Sequence, residues 1–497
     1  MNKKERLKNL QQLRNNYSQV RNALPWFDCC IREKDHAVFS QADLSKSIST
    51  PPGIRLQKNL TGKIRDLYHE KGPFILIVNN PDILFEKAFL PVLKEIADQH
   101  IPVSVVMKEC WFDKVLNAAS NFQKINFIIE SGEQKLIYHI EIIEKMLANK
   151  KNIFLSSFNF CNWLGIEKFC HKGLGKQLLF GSHFPRFSPD FSMAQIIMGE
   201  LSWKQKCDVA GNNLRRLFGL DEQKAMEQSF SPTQPFIIDS HAHFVKSREL
   251  GILPFPTPDT RFTPRDWLGF LDHIAVDKII FTPMASLYNA DITSLSQFQR
   301  FAKNGNGRLF YYETFHPGKK ESHLERIKKS LCNPYCAGIK IHPSFHETKA
   351  NHQSFKPIYD LAKNLEKPIL AHSWENSSHN PVQKFSLPTL FKDYVFRLGK
   401  VPFIFGHAGG RPSTIDDITA ICNELPNAMV DIAGDYFDNG LLEELISRIG
   451  PEKILFGTDV DWFDPRCHIG MALGSKLDNL TLEKIFSGNA IKTFRFV

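Results

Sequence analysis

The feature that most constrains the fold is a series of eight short apolar runs in the second half of the chain. Segments with the spacing of amphipathic helices separate most of them. Short, continuously apolar runs are typical of strands buried on both faces, and their alternation with helices favours a parallel sheet. The runs are FIID (236–239), KIIFTP (278–283), LFYYETF (309–315), AGIKIHP (337–343), KPILAHS (367–373), PFIFGHAGG (402–410), NAMVDIAG (427–434) and KILFGTD (453–459). Eight such units predict an α/β fold, with a (β/α)8 TIM barrel over residues 236–497.

The first half of the chain repeats part of this pattern. LLFGSHFPRFSPDFSMAQIIMGEL (178–201) parallels ILFGTDVDWFDPRCHIGMALGSKL (454–477), and VAGNNLRRLF (209–218) parallels IFSGNAIKTF (485–494). Shared order and spacing indicate an internal duplication. The stretch before residue 74 is too short for three full β/α units.

These observations predict the domain organisation. We expect a truncated, degenerate barrel-like α/β domain at 26–218. A helical extension at 1–25 precedes it, and a polar linker at 219–235 joins it to the barrel at 236–497.

Residues that can bind metal stand where five of the eight runs end. The carboxyl ends of barrel strands converge on one site, and residues two apart on a strand share a face. Imidazole and carboxylate groups suit zinc or another first-row divalent ion, and an open position on the ion would activate a water. The residues are His241 and His243, Lys340 and His342, His372, His407, and Asp459.

This order of residues resembles the amidohydrolase superfamily. IIDSHAHF, GIKIHP, AHS, GHAGG and ILFGTDVDW are most similar to its amidohydrolase-related branch, which includes the aminocarboxymuconate-semialdehyde-type decarboxylases. The resemblance implies metal ligands at His241, His243, His372 and Asp459. It implies a second-ligand or acid/base role for His407.

The resemblance also bears on the number of metal ions. In part of the superfamily the lysine of the fourth strand is carbamylated and bridges two ions, so a carbamylated Lys340 would allow a second one. We expect a single ion, with His342 serving the pocket instead. Zn²⁺ is the expected ion, and Mn²⁺ and Fe²⁺ are the alternatives.

Two further residues are candidates for the pocket, and the first half lacks the ligand set. Arg411 could meet a substrate carboxylate bidentately or be structural, and Trp374 could wall the pocket or pack in the core or rim. In the first half, Cys30 and Arg32 replace the histidine pair, Val106 and Ser131 fall opposite His372 and His407, and His183 falls opposite Asp459. We therefore expect no metal in the first half and an ordinary polar role for His183.

Three functions are compatible with these residues. The first is a metal-dependent hydrolase that cleaves a C–N or C–O bond in a small molecule, with a metal-activated water and Asp459 as general base. The second is a non-oxidative decarboxylase or hydratase on the same site, with His407 as the proton donor. The third is a non-catalytic scaffold or binding protein.

Composition and charge exclude other classes. The net charge of +9 is modest for 497 residues and no long basic run is present, so a nucleic-acid partner is not expected. The charged N-terminus lacks the apolar core of a secretory signal, and no stretch has the apolar length of a membrane span. Ten scattered cysteines without a Cys-x-x-Cys pair indicate reduced thiols and a cytoplasmic location. The loops 244–265 and 284–296 carry no motif that identifies the substrate, and the oligomeric state is left open.

Overall fold

The computed structural model describes residues 1–30, 50–51, 53–55, 57, 60, 62–131, 139–244, 263–289, 292–319 and 321–496. Arg32, most of the loop 244–265 and two residues of the loop 284–296 lie outside this part of the chain.

The first half contains a parallel sheet of six strands in chain order. The strands are β1 (Gly53–Arg55), β2 (Ile75–Val78), β3 (Val103–Met107), β4 (Phe127–Ser131), β5 (Ile153–Ser156) and β6 (Leu178–Leu179). The helices are α1 (Lys3–Ala23), α2 (Ile64–Lys71), α3 (Leu90–Asp98), α4 (Phe112–Asn121), α5 (Ile140–Asn149), α6 (Gly165–His171), α7 (Pro189–Ile197), α8 (Trp203–Cys207) and α9 (Asn213–Leu217), with a π-turn at Asp208–Asn212. The predicted α/β character of the first half is confirmed as a parallel sheet of six strands with helices between them.

The second half contains eight parallel strands, also in chain order. They are β7 (Ile237–Phe244), β8 (Val276–Pro283), β9 (Leu309–Thr314), β10 (Cys336–Ile341), β11 (Ile369–Ala371), β12 (Phe403–Phe405), β13 (Ala428–Asp431) and β14 (Ile454–Leu455). Their helices are α10 (Pro264–His273), α11 (Met284–Asn289), α12 (Ile292–Lys303), α13 (Glu321–Ser330), α14 (Lys356–Asn364), α15 (Lys392–Leu398), α16 (Ile415–Glu424), α17 (Leu441–Ile449), α18 (Pro465–Gly474), α19 (Asn479–Glu483) and α20 (Asn489–Phe494), with a π-turn at Lys484–Gly488. Each of the eight apolar runs coincides with one strand.

Backbone hydrogen bonds join the first and last strands of this sheet. The N–H of Ser240 donates to the carbonyl of Phe456 at 2.9 Å, and the N–H of Asp459 donates to the carbonyl of His241 at 2.8 Å. The sheet therefore closes on itself, and the prediction of a TIM barrel is confirmed.

An apolar layer fills the barrel below its polar end. All eight strands contribute to it, and Phe494 and Phe496 from the C-terminus pack against it. The layer consists of Ile238, Ile280, Phe310, Tyr312, Ala337, Leu370, Ile404 and Leu455, with Met429 at its edge. The polar residues of the strand ends follow this layer in sequence, so they form the next layer toward the carboxyl end of the barrel.

The two halves pack closely through helices α7 and α18. A Cβ built on Gly470 would lie 2.3 Å from the Cβ of Ala194, so the glycine is what allows the two helices to approach this closely. Helix α1 joins both halves, because Arg6 pairs with Glu483 at 2.6 Å and Arg21 pairs with Asp190 at 2.9 Å.

Two general properties of the chain follow from the structure. All ten cysteines are free thiols, and eight of them are buried, whereas Cys110 and Cys332 are exposed. Within the part of the chain that the structure describes, no helix combines the length and apolar character needed to cross a bilayer.

Candidate metal centre

Three buried side chains at the carboxyl end of the barrel bring their ligand atoms within 4.8 Å of one another. They are His241 from β7, His407 after β12 and Asp459 after β14. Two imidazoles and a carboxylate form a donor set that suits a divalent first-row ion. The geometry therefore fits the metal that the sequence predicts.

His241 is oriented by a carboxylate that the sequence analysis did not identify. Its Nδ1 lies 2.8 Å from Oδ2 of Asp431 on β13, and Oδ1 of Asp431 accepts the backbone N–H of His407 at 2.9 Å. A carboxylate that holds one ring nitrogen of a histidine directs the other nitrogen toward a metal. In this structure that other nitrogen, Nε2, accepts from Nζ of Lys340 at 2.7 Å.

The two remaining predicted ligands adjoin this group. Nε2 of His243 lies 2.8 Å from Oδ1 of Asp459, and Nδ1 of His372 lies 3.1 Å from Nε2 of His407. His372 also contacts Oε1 of Gln383 through its Nε2, at 2.9 Å. All of the predicted ligands are therefore neighbours, although His243 and His372 do not belong to the closest group of ligand atoms.

The electrostatics of the site favour the protonation states that bind metal. Burial lowers the pKa of His241 and His372 well below the usual value, and it lowers the pKa of His407 to about 4. Burial opposes the charged form of Asp459, but attraction to the imidazoles, that of His243 first, brings its pKa well below 3.8. The lowered pKa values of these histidines and of Asp459 favour the deprotonated forms that coordinate a metal.

Lys340 and His342 occupy the end of β10 inside the same site. Burial lowers the pKa of Lys340 to about 8. The His342 ring stacks on His372, with 3.8 Å between centroids, and on Phe345, with 3.7 Å between centroids. The His342 ring is therefore held by stacking against His372 and Phe345.

Trp374 and Arg411 lie together beside the site histidines. The Trp374 ring is nearly parallel to His372 with centroids 5.7 Å apart, and its centroid is 5.1 Å from that of His407. The Arg411 guanidinium lies 5.6 Å from the Trp374 ring centroid and donates to Asp435. Trp374 thus lies against two site histidines, and the charge of Arg411 is partly balanced by a carboxylate.

The sequence GHAGG sets the position of His407. His407 and Ala408 adopt left-handed backbone conformations, with φ of 62° and 52°. A Cβ at Gly410 would lie 2.7 Å from the backbone nitrogen of Glu375, so no larger residue fits there. Asp459 also has a positive φ, 62°. Backbone strain of this kind is concentrated at functional sites.

Comparisons with known proteins agree with this architecture. The family model described as Amidohydrolase matches residues 238–496, more than half of the chain. A search of curated proteins finds no match.

Solved structures that resemble the chain include the following three. The 5-carboxyvanillate decarboxylase of Sphingomonas paucimobilis shares 12% identity and a TM-score of 0.43, over 53% of this chain and 100% of that one. The 5-carboxyvanillate decarboxylase of Novosphingobium aromaticivorans was solved with manganese and 4-hydroxy-3-methoxy-5-nitrobenzoic acid. It shares 12% sequence identity with a TM-score of 0.41, over 53% of this chain and 96% of that one. The 2,6-dihydroxybenzoate decarboxylase from Rhizobium shares 14% sequence identity with a TM-score of 0.40, over 53% of this chain and 99% of that one. On the match of the family model, the chain belongs to the amidohydrolase family of enzymes.

Proposed function

We propose that the barrel is a metal-dependent hydrolase that acts on a C–N or C–O bond of a small molecule. The observation that carries this proposal is the buried group of His241, His407 and Asp459 at the carboxyl end of the barrel. Burying several imidazoles and a carboxylate together is costly, and coordination of a metal ion would offset that cost.

The proposed ligands are His241, His243, His372 and Asp459. His241 and Asp459 belong both to the set that the resemblance implies and to the closest group of ligand atoms. When bound, a divalent ion would lower the pKa of a coordinated water and polarise a substrate carbonyl. We propose a single ion, Zn²⁺, with Lys340 held beside His241, at 2.7 Å between Nζ and Nε2, as a charged pocket residue rather than a bridging ligand. Mn²⁺ and Fe²⁺ suit the same ligands.

The protein's own groups would handle the protons. Asp459 would accept a proton from the attacking water and return it to the leaving group, which is the role of a general base and acid. His407 lies within hydrogen-bond distance of His372, at 3.1 Å, and is the second group positioned to exchange a proton with the substrate. Asp431 would keep His241 in the tautomer that presents Nε2 to the ion.

A non-oxidative decarboxylase on the same site, or a related hydratase, is the second candidate. The observation in its favour is the flat ring of Trp374, parallel to His372, with the Arg411 guanidinium near its face. A planar acid could stack on this ring with its carboxylate toward the cation. In that reaction His407 would protonate the carbon that loses CO₂.

We infer that the first half is a degenerate partial copy of the barrel, which would pack against it without chemistry of its own. Matching hydrogen bonds support this inference. Asp28 accepts the backbone N–H of Ser182 at 3.2 Å, and Asp239 accepts that of Thr458 at 3.2 Å. In both pairs the side-chain hydroxyl also donates to the same carboxylate. The free thiols support the further inference of a cytoplasmic location.

The test uses the full chain stripped with a chelator and reloaded with Zn²⁺, Mn²⁺ or Fe²⁺. Amides, esters and lactones assay hydrolysis, and aromatic carboxylic acids assay release of CO₂. We expect metal-dependent turnover that Asp459→Asn abolishes. Release of CO₂ without hydrolysis would replace the first candidate with the second. A folded chain that binds no metal would contradict both and leave the scaffold function.

A further inference from the structure

We propose that the first half of the chain contains a second metal site, formed by Cys30, Glu130 and His183, which binds zinc or another thiophilic divalent ion. The ligand atoms of these three residues lie within 4.8 Å of one another. A thiolate, a carboxylate and an imidazole are all zinc ligands. The site is separate from the barrel centre and uses none of its residues.

Each of the three side chains is held in place by a neighbour. Nε2 of His183 lies 2.5 Å from Oε1 of Glu130, and Oγ of Ser104 donates to Oε2 of Glu130 at 2.6 Å. Sγ of Cys30 lies 3.0 Å from Oγ of Ser156. The contacts of Ser104 and Ser156 are supporting hydrogen bonds that orient ligands toward an ion, whereas the contact of His183 with Glu130 joins two of the proposed ligands.

Two of the three proposed ligands are fully buried, and the His183 side chain is 18% exposed. Cys30 is 1% exposed and Glu130 is 0% exposed. A fully buried carboxylate is expensive unless it is paired or binds a metal. Glu130 is paired with His183 and Ser104, and a bound ion would replace the contact with His183. A thiol enclosed to this degree accommodates an ion more readily than a substrate. We therefore assign the ion a structural role, in which its binding energy stabilises the first half.

A glycine keeps the space around the thiol open. A Cβ at Gly181 would lie 2.5 Å from Sγ of Cys30 and 2.3 Å from Oγ of Ser156. Sγ of Cys29 lies 3.6 Å from Sγ of Cys30 and is therefore the first candidate for a fourth ligand.

The place of the site in the fold explains why the sequence comparison predicted no metal here. Cys30 takes the place of His241, and His183 takes the place of Asp459. When the two halves are aligned, Glu130 falls opposite Gly406, the residue that follows β12, and Gly406 is not a barrel ligand. A position-by-position comparison with the barrel therefore omits the residue that completes the group.

The chemistry of the two sites differs in a way that an experiment can use. The proposed barrel ligands are imidazoles and a carboxylate, whereas the first-half site includes a thiolate. Co²⁺ bound to a thiolate gives a ligand-to-metal charge-transfer absorption in the near ultraviolet, and Co²⁺ bound only by nitrogen and oxygen does not. The full chain, stripped by a chelator under reducing conditions and reloaded with Co²⁺, reports on each site separately.

We expect the charge-transfer band in the wild-type protein and its loss in Cys30→Ser. Cys170→Ala, which removes another buried thiol of the same half, should leave the band unchanged. Asp459→Asn should also leave it unchanged, so failure of the barrel proposal is distinguishable. Metal content after reloading should be one ion lower in Cys30→Ser than in wild type.

Glu130→Gln is the second variant, because it keeps the thiol and nearly the same shape. This change should weaken Co²⁺ binding at the thiolate site by about 10-fold or more, because it removes the charge of a proposed ligand. The absence of the band in folded wild-type protein would overturn the proposal. So would a band that survives both Cys30→Ser and Glu130→Gln, or one that only Cys29→Ser removes.

Discussion

Replacement of Arg466 by Met should destabilise the protein by removing a buried cation between the two halves. The Arg466 side chain is 1% exposed. Its Nε donates to Oδ1 of Asp464 at 2.8 Å, and its terminal nitrogens donate to both oxygens of Glu167, one of them at 3.1 Å. Glu167 belongs to the first half and Arg466 to the second, so this ion pair is part of the interface.

Removal of Arg466 leaves two buried carboxylates, Asp464 and Glu167. Asp464 still accepts the backbone N–H groups of Leu164 and Arg466, so the magnitude is worked from Glu167. Loss of one partner from a buried ion pair costs about 3–5 kcal/mol. The carboxyl of Glu167 can limit the cost by taking up a proton. From its ordinary pKa of 4.5, this protonation costs about 3.4 kcal/mol at pH 7, at about 1.36 kcal/mol per unit. We therefore expect a loss of about 3 kcal/mol in the free energy of unfolding at pH 7.

The loss should depend on pH with a definite sign. Burial opposes the charged form of Glu167, but in the wild type Arg466 brings its pKa below 4.5. The Glu167 carboxyl is therefore ionised in both the folded and the unfolded protein from pH 7 to 5.5. Without Arg466, burial raises the folded-state pKa above the unfolded value, and the penalty falls as the pH falls. At pH 5.5 the cost of protonation is about 1.4 kcal/mol, which is about 2 kcal/mol less than at pH 7.

Urea unfolding of the full chain, followed by far-ultraviolet circular dichroism at both pH values, measures this effect. The double variant Arg466→Met, Glu167→Leu should recover at least half of the lost stability at pH 7. Arg448→Ala, which removes an exposed pair with Asp416, should leave the midpoint unchanged. A loss in Arg466→Met below about 1 kcal/mol, or one that is equal at both pH values, would refute the reasoning.

Three further predictions concern the barrel centre and the interface. Asp459→Asn should remove nearly all turnover together with the barrel metal, as measured by elemental analysis. Asp431→Asn should weaken metal binding about 10- to 100-fold, because it frees the ring of His241, and competition with a chelator measures this. Gly470→Ala should cost about 1–3 kcal/mol in urea unfolding, because its Cβ would clash with α7. The matched change Gly269→Ala, with no heavy atom within 4 Å, should instead stabilise by about 0.5–1 kcal/mol.

The barrel could be predicted from the sequence because its strands are buried on both faces. Such strands require continuous apolar runs. Strand β11 ends directly before His372, and strand β12 ends two residues before His407. Local sequence therefore specifies both the strand and the position of the side chain at its carboxyl end. Whether the predicted set of four ligands binds the ion remains a prediction.

The sequence could have identified Asp431 and Glu130 as candidate site residues, but it could not have shown which residues they contact. Each is an acidic residue near the end of an apolar run, NAMVDIAG or NFIIESG, and a buried carboxylate in such a run requires a partner. The partner of Asp431 is His241, which lies 190 residues away in the chain. Periodicity and spacing describe only local structure, so they do not reveal pairings between distant strands or between the two halves.

The contacts of the first half indicate why it is retained beside the barrel. The Phe191 ring of α7 stacks on Phe437, with 4.0 Å between centroids and 10° between ring planes. Phe437 lies two residues after Asp435, which accepts a hydrogen bond from Arg411, and the Arg411 guanidinium lies near the face of Trp374. The loop that follows β13 is therefore held by the first half on one side and contacts Arg411 on the other. The loop also pairs with the first half through its backbone, because the N–H of Ser188 donates to the carbonyl of Phe437 at 3.1 Å and the N–H of Asn439 donates to that of Arg186 at 2.9 Å. The position of Asp435, and through it that of Arg411, therefore depends on contacts that the first half supplies.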